Sequence, residues 1–133
     1  MYKLKVESQW NGTKDMMLNI PHFPHLHSTL TDKISDFSRY PHPYEYFLAS
    51  LCGIITLIIH KYSEKKCIII TNLYITIDSS LSNEIGKFNN IEVNIKLDSS
   101  ASGDELTKLQ NIIYKNDTIV YLLNEEIINV NWN

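Results

Sequence analysis

The sequence predicts one α+β domain over residues 1–133 with elements in the order β-β-α-β-β-α-β, and three observations carry that prediction. Leu4 and Val6 alternate with Lys3, Lys5 and Glu7 and run into Asn11-Gly12, a strong hairpin signal. Residues 43–62 form an almost wholly apolar helix opened by Pro43 and Glu45. Ile91, Val93, Ile95 and Leu97 alternate with Glu92, Asn94 and Lys96, as in a strand with one face buried.

Each element follows from local chemistry. The first strand begins near Tyr2 and the second covers residues 13–20. Prolines at 21, 24, 41 and 43 make residues 21–43 a loop or extended arm, with room for regular structure only near residues 30–37. Pro43 fits the first helical turn, where its missing N–H costs nothing, and Glu45 meets the positive end of the helix dipole. That helix is expected to reach Lys65. Residues 67–78 are rich in β-branched side chains and read as a strand buried on both faces at its start. Residues 79–90 form a polar connection, and the alternating strand over 91–97 follows. Ser102 or Asp104 caps a second helix whose apolar positions are Leu106, Leu109, Ile112 and Ile113. Asn116-Asp117 interrupts it before a further turn over 118–123, and Ile127, Ile128 and Val130 lie in the closing strand.

Composition excludes several functions. A net charge of -3 and a pI near 5.9 provide no basic stripe for displacing counterions, so no nucleic-acid partner is expected. Cys52 and Cys67 sit among apolar neighbours and read as reduced core residues. The N-terminal residues lack the continuous apolar core of a secretory signal, so the cytoplasm is the expected location. The apolar run over residues 47–59 is 13 residues long, about two thirds of what a bilayer requires, so a core helix and no membrane partner are expected. An all-round apolar helix exceeds what one sheet covers, and the simplest second cover is another copy of the chain.

Pro43-Tyr-Glu45 followed by Leu48-Ala-Ser-Leu51, with the spacing to a second helix at Asp104-Glu-Leu106, resembles the OsmC/Ohr family of hydroperoxide-reducing proteins. The resemblance runs from the hairpin at Trp10-Asn-Gly12 to the final strand. It implies an OsmC-like fold, an intertwined homodimer with two central helices, and a peroxiredoxin-like role in the oxidative stress response. Family peroxidases use a cysteine in each helix: a thiolate attacks peroxide and a second thiol resolves the sulfenic acid. By position the first cysteine falls on Ile54 and the second on Asn116, so thiol peroxidase activity is not expected and a binding or structural role is. The alternative is a hydroperoxide reductase using Cys52, which lies about 200° around the helix from Ile54.

Glu45 matches the family glutamate, and Arg39, the chain's single arginine, lies in the segment that supplies the family arginine, closer to Pro43 than the family spacing. Arg39, Glu45, Ile54 and Asn116 thus outline the pocket implied by resemblance. With Tyr40, Tyr44, Tyr46 and Phe47 nearby, it either encloses a small apolar or anionic ligand such as a fatty acid or is filled by Ile54 and its neighbours. His22, His25 and His27 lack a clear fourth ligand and read as loop residues; no metal or other cofactor is expected. No dinucleotide, nucleotide, zinc-protease or serine-hydrolase motif occurs.

Overall fold

Glu7–Gln9 (β1) and Asp15–Asn19 (β2) pair antiparallel, with Gly12 at φ +86° in the turn, a left-handed conformation glycine adopts without a Cβ clash. A third strand, Leu26–Thr29 (β3), pairs antiparallel with β2 and completes the sheet β1-β2-β3. The computed structural model describes residues 4–10, 12–13, 15–30, 40–81, 88–124 and 127–133. Their contacts sort into two compact units, Met1–Ser50 and Leu51–Asn133.

Two expectations about the first unit are corrected. Leu4 and Val6 are 93% and 63% exposed and precede the strand, so alternation there marks no buried face among the described residues. The segment read as a loop or extended arm, with regular structure expected only near residues 30–37, contains β3. Pro21 and Pro24 lie before that strand, which occupies an edge, and its stability comes from pairing with β2 more than from apolar alternation. Thr29 donates its hydroxyl to Asp15 Oδ1 across the sheet at 2.9 Å, and Ser28 donates to the Pro41 carbonyl at 2.8 Å. Tyr40 N–H donates to Thr29 Oγ1 at 2.9 Å, tying the approach to the helix onto β3. Asn11 and the expected element at 30–37, from residue 31 on, lie outside the described residues.

The long helix, Pro43–Lys66 (α1), begins with reciprocal capping. His42 N–H donates to Glu45 Oε1 at 2.9 Å, while His42 Nδ1 accepts from Tyr44 N–H at 3.2 Å. Leu51, Ile55, Ile59 and Tyr62 form its buried stripe. On the side away from that stripe Leu57 is 50% exposed, and Ala49 and Gly53 are exposed as well, with nothing among the described residues covering them. By length and composition α1 is apolar enough to cross a membrane, with only 28% of its most apolar window buried. Its charge-free length from Tyr46 to His60 is about 22 Å, short of the ~30 Å hydrocarbon core.

The end of α1 overturns the reading of Cys67 as a core residue. Cys67 is exposed and adopts φ +54°, Ile68 N–H reaches the Ser63 carbonyl at 2.9 Å, and Cys67 N–H reaches the Glu64 carbonyl at 3.3 Å. This is a Schellman cap with cysteine at the position glycine usually fills.

Beyond it, Ile70–Leu81 (β4) pairs antiparallel with Phe88–Ser99 (β5), and Ile128–Trp132 (β6) joins β5 in parallel. The start of the β4 region is not buried on both faces: Ile69 is 68% exposed and Thr71 is exposed. A parallel pair requires a crossover, supplied by Gly103–Tyr114 (α2) and Asp117–Asn124 (α3). Ser102, not Asp104, caps α2 in a capping box with Glu105. Asn116 Oδ1 accepts from Thr118 N–H at 3.0 Å and opens α3, so the break between the two helices is a cap. Ile91, Val93, Ile95, Ile113 and Ile119 are completely buried and form the middle of this unit's core.

Cys67→Gly removes the cost of a left-handed non-glycine residue and is expected to stabilise by about 1 kcal/mol. Ser102→Ala is expected to destabilise by about 1 kcal/mol through loss of the cap. Urea unfolding midpoints compared with the unaltered chain check both.

Candidate functional site

Cys52 lies on α1 one residue after the buried Leu51 and is half-buried. Burial pushes its thiol up, outweighing a hydrogen bond to the helix backbone that pulls it down. A peroxide-attacking thiol needs the opposite shift, toward thiolate. Ile54 is half-buried two residues further on, so the two side chains leave the helix in nearly opposite directions.

The other positions matched by resemblance are occupied with local structure. The exposed Glu45 carboxylate accepts the His42 N–H, and the half-buried Asn116 amide oxygen accepts two N–H groups at the start of α3. Glu45 belongs to the first unit, Ile54 and Asn116 to the second, and Arg39 lies outside the described residues. Nothing in the capping geometry requires a thiol or a substrate.

His22, with φ +73°, His25 and His27 are exposed, and His27 stacks on Tyr40 at 4.8 Å between ring centroids. Among the described residues, no group of three or more histidine, cysteine, aspartate or glutamate side chains stands where it can hold a metal. Tyr46 donates its hydroxyl to the His27 carbonyl at 2.7 Å, so one aromatic of the expected cluster braces β3 against the start of α1.

Two polar features escaped the linear sequence because residues far apart in the chain build them. On one face of the β5–β6 pair, Glu92 Oε1 accepts from Asn90 at 3.1 Å and Asn129 at 2.9 Å, and Oε2 accepts from Asn131 at 3.2 Å. The amides of Asn90 and Asn129 hold the Glu92 carboxyl below its usual value; desolvation opposes them and Asn131 adds a smaller pull. The cluster pins the parallel register Glu92↔Asn129 and Asn94↔Asn131. Within the second unit, an open groove of about 590 Å³ runs between the C-terminal halves of α1 and α2. Lys61, Lys65, Lys66, Lys108 and Lys115 line it. The recurrence of lysine at 61 and 65 and at 108 and 115 was its only trace in the sequence.

Neither family sequence models nor curated proteins match the chain. In structure it is similar to an OsmC-like protein from Mycoplasma pneumoniae, with a TM-score of 0.79 at 15% identity, covering 99% of this chain and 95% of that one. An OsmC-like protein of unknown function from Vibrio cholerae gives 0.71 at 14% identity, covering 100% and 99%. An organic hydroperoxide resistance protein OsmC from Legionella pneumophila gives 0.65 at 13% identity, covering 99% and 96%. The chain therefore has the OsmC-like α+β fold.

Because the folded value of Glu92 lies below the unfolded one, its stabilisation is complete above the ordinary carboxylate range and is lost as pH falls through the folded value. Glu92→Gln is expected to lower the melting temperature at neutral pH. The difference between the two proteins should vanish in melts followed down through the carboxylate range near about pH 4 and below.

Proposed function

We propose that this chain is a divergent OsmC-like protein without thiol peroxidase activity, working as a homodimer in a binding role. The observation that carries the reading is the state of the positions where the resemblance expects thiols. Ile54 has no nucleophile, the Asn116 amide caps α3, and the nearby Cys52 thiol is shifted away from thiolate. Peroxide reduction through sulfenic acid needs an accessible thiolate and a resolving thiol. The other cysteine, Cys67, sits exposed in the cap at the far end of α1.

The dimer reading rests on the uncovered side of α1. Leu57, at 50% exposed, lies on a helix whose apolar surface water does not suit, and a second copy of α1 laid against it would remove that surface from water. Exposed Ala49 and Gly53 let another helix approach closely, and a Cβ built on Gly53 meets nothing within 4 Å.

The purified protein is expected to reduce neither organic hydroperoxides nor hydrogen peroxide faster than free cysteine in a dithiol-coupled assay. Dithiol-dependent turnover abolished by Cys52→Ser would replace this reading with the Cys52 enzyme. Light scattering at micromolar concentration should give the dimer mass. Leu57→Asp should yield a folded monomer by far-UV circular dichroism, because a charge there is solvated in the single chain and unpaired in the interface; a monomeric unaltered protein would end the dimer reading.

A further inference from the structure

The groove between α1 and α2 concentrates positive charge in a protein whose net charge is -3. Five of the chain's eleven lysines line it, from both helices, and among the described residues none is ion-paired with a carboxylate. The acidic residues of α2, Asp104 and Glu105, lie in its first turn, and Glu105 is engaged in the capping box; Glu64 on α1 contacts His60 at 3.3 Å. Helix dipoles account for Lys65, Lys66 and Lys115 at helix ends, but Lys61 and Lys108 lie further inside and gain little from them. Like charges four apart, as at Lys61 and Lys65, repel, and so do like charges facing one another across a groove. An anion bound among them removes that repulsion.

The floor is apolar. Ile58 and Ile112 contribute to it, with Ile112 43% exposed. Tyr62 also lines the groove at only 7% exposure, and its buried hydroxyl has no hydrogen-bond partner among the described residues. A bare inorganic anion would leave the isoleucines wet, and an alkane would leave the ammonium groups uncompensated. A second copy of the chain is a poor occupant, since lysine is depleted from the cores of protein interfaces.

We propose that this groove binds a soluble amphipathic anion, its phosphate or carboxylate head among Lys61, Lys65 and Lys108 and its alkyl or aryl body against Ile58, Ile112 and Tyr62. The volume suits a ligand of this size. The proposal supplies the ligand class for the binding role above and rests on that reading only in this respect. Hydroperoxide turnover with groove binding retained would end the earlier reading alone, whereas absence of groove binding in a peroxidase-inactive protein would end this one alone.

The test is calorimetric titration of the full chain with octyl phosphate and octanoate below their micellar concentrations, with inorganic phosphate and octanol as controls. Saturable binding is expected for the two amphiphiles and not for the controls. A Lys61→Met and Lys108→Met double variant keeps the apolar stems and removes two charges. It should retain its circular dichroism and bind octyl phosphate at least about tenfold more weakly. Tyr62→Phe keeps the ring and removes the unpaired hydroxyl, so it should melt at the same or a higher temperature and bind octyl phosphate as the unaltered chain does. The proposal is overturned by absence of saturable binding, by equal affinity for inorganic phosphate, by undiminished binding to the lysine double variant, or by sedimentation with anionic phosphatidylglycerol vesicles in a protein that ignores octyl phosphate.

Discussion

The apolar surface of α1 is the constraint on which the rest of the molecule depends. Leu51, Ile55, Ile59 and Tyr62 place one stripe in the interior, yet residues such as Leu57 on the other side remain apolar and open. A helix of this kind cannot be satisfied by one face of one sheet. Its ends are secured by local hydrogen bonding, with Glu45 bonding back to His42 at the start and the Schellman turn at Cys67 closing the last carbonyls. Stability in the second unit then follows from completely buried isoleucines and a valine on β5 and the flanking helices.

The same side chains can serve a cap or a chemistry, and in this chain the caps account for them. Glu45 and Asn116 occupy positions that the resemblance associates with a reactive centre, and each accepts backbone N–H groups at a helix start. A carboxylate or amide so engaged helps hold a helix in place whether or not a substrate is ever bound. Cys52 completes the picture, since partial burial on a largely apolar helix raises its thiol and favours the neutral form. The OsmC-like fold needs the α1 helix, while the chemistry the resemblance implies would need sulfur at two separate places, residue 54 on α1 and residue 116 between α2 and α3, where this chain has none.

Polar recognition in this chain arises where distant segments meet. The Glu92 cluster draws Asn90 from its own strand and Asn129 and Asn131 from β6, and the lysine groove draws on two helices whose lining residues are more than forty positions apart. The first satisfies its charge with amides and so behaves as a structural clasp. The second leaves its lysines without a carboxylate partner among the described residues, above an apolar floor, and so does not close on itself as the clasp does.

Much of the architecture was legible in the linear order. Pro43 and Glu45 set the start of α1, alternation from Ile91 set β5, and Ser102 with Glu105 set α2, because capping and periodicity act within a few residues. Alternation misled at Leu4 and Val6, which precede β1 and stand exposed, and β-branched richness misled at the start of the β4 region, where Ile69 and Thr71 are exposed. β3 stayed hidden among prolines because its pairing partner, β2, supplies what its own sequence lacks. The absence of thiols at residues 54 and 116 was decided by sequence alone, since identity at a position needs no folding. Whether Cys52 is buried, whether Cys67 turns outward, and which lysines converge were decided only by tertiary structure, because burial and electrostatic environment belong to neighbours that the chain brings together after folding.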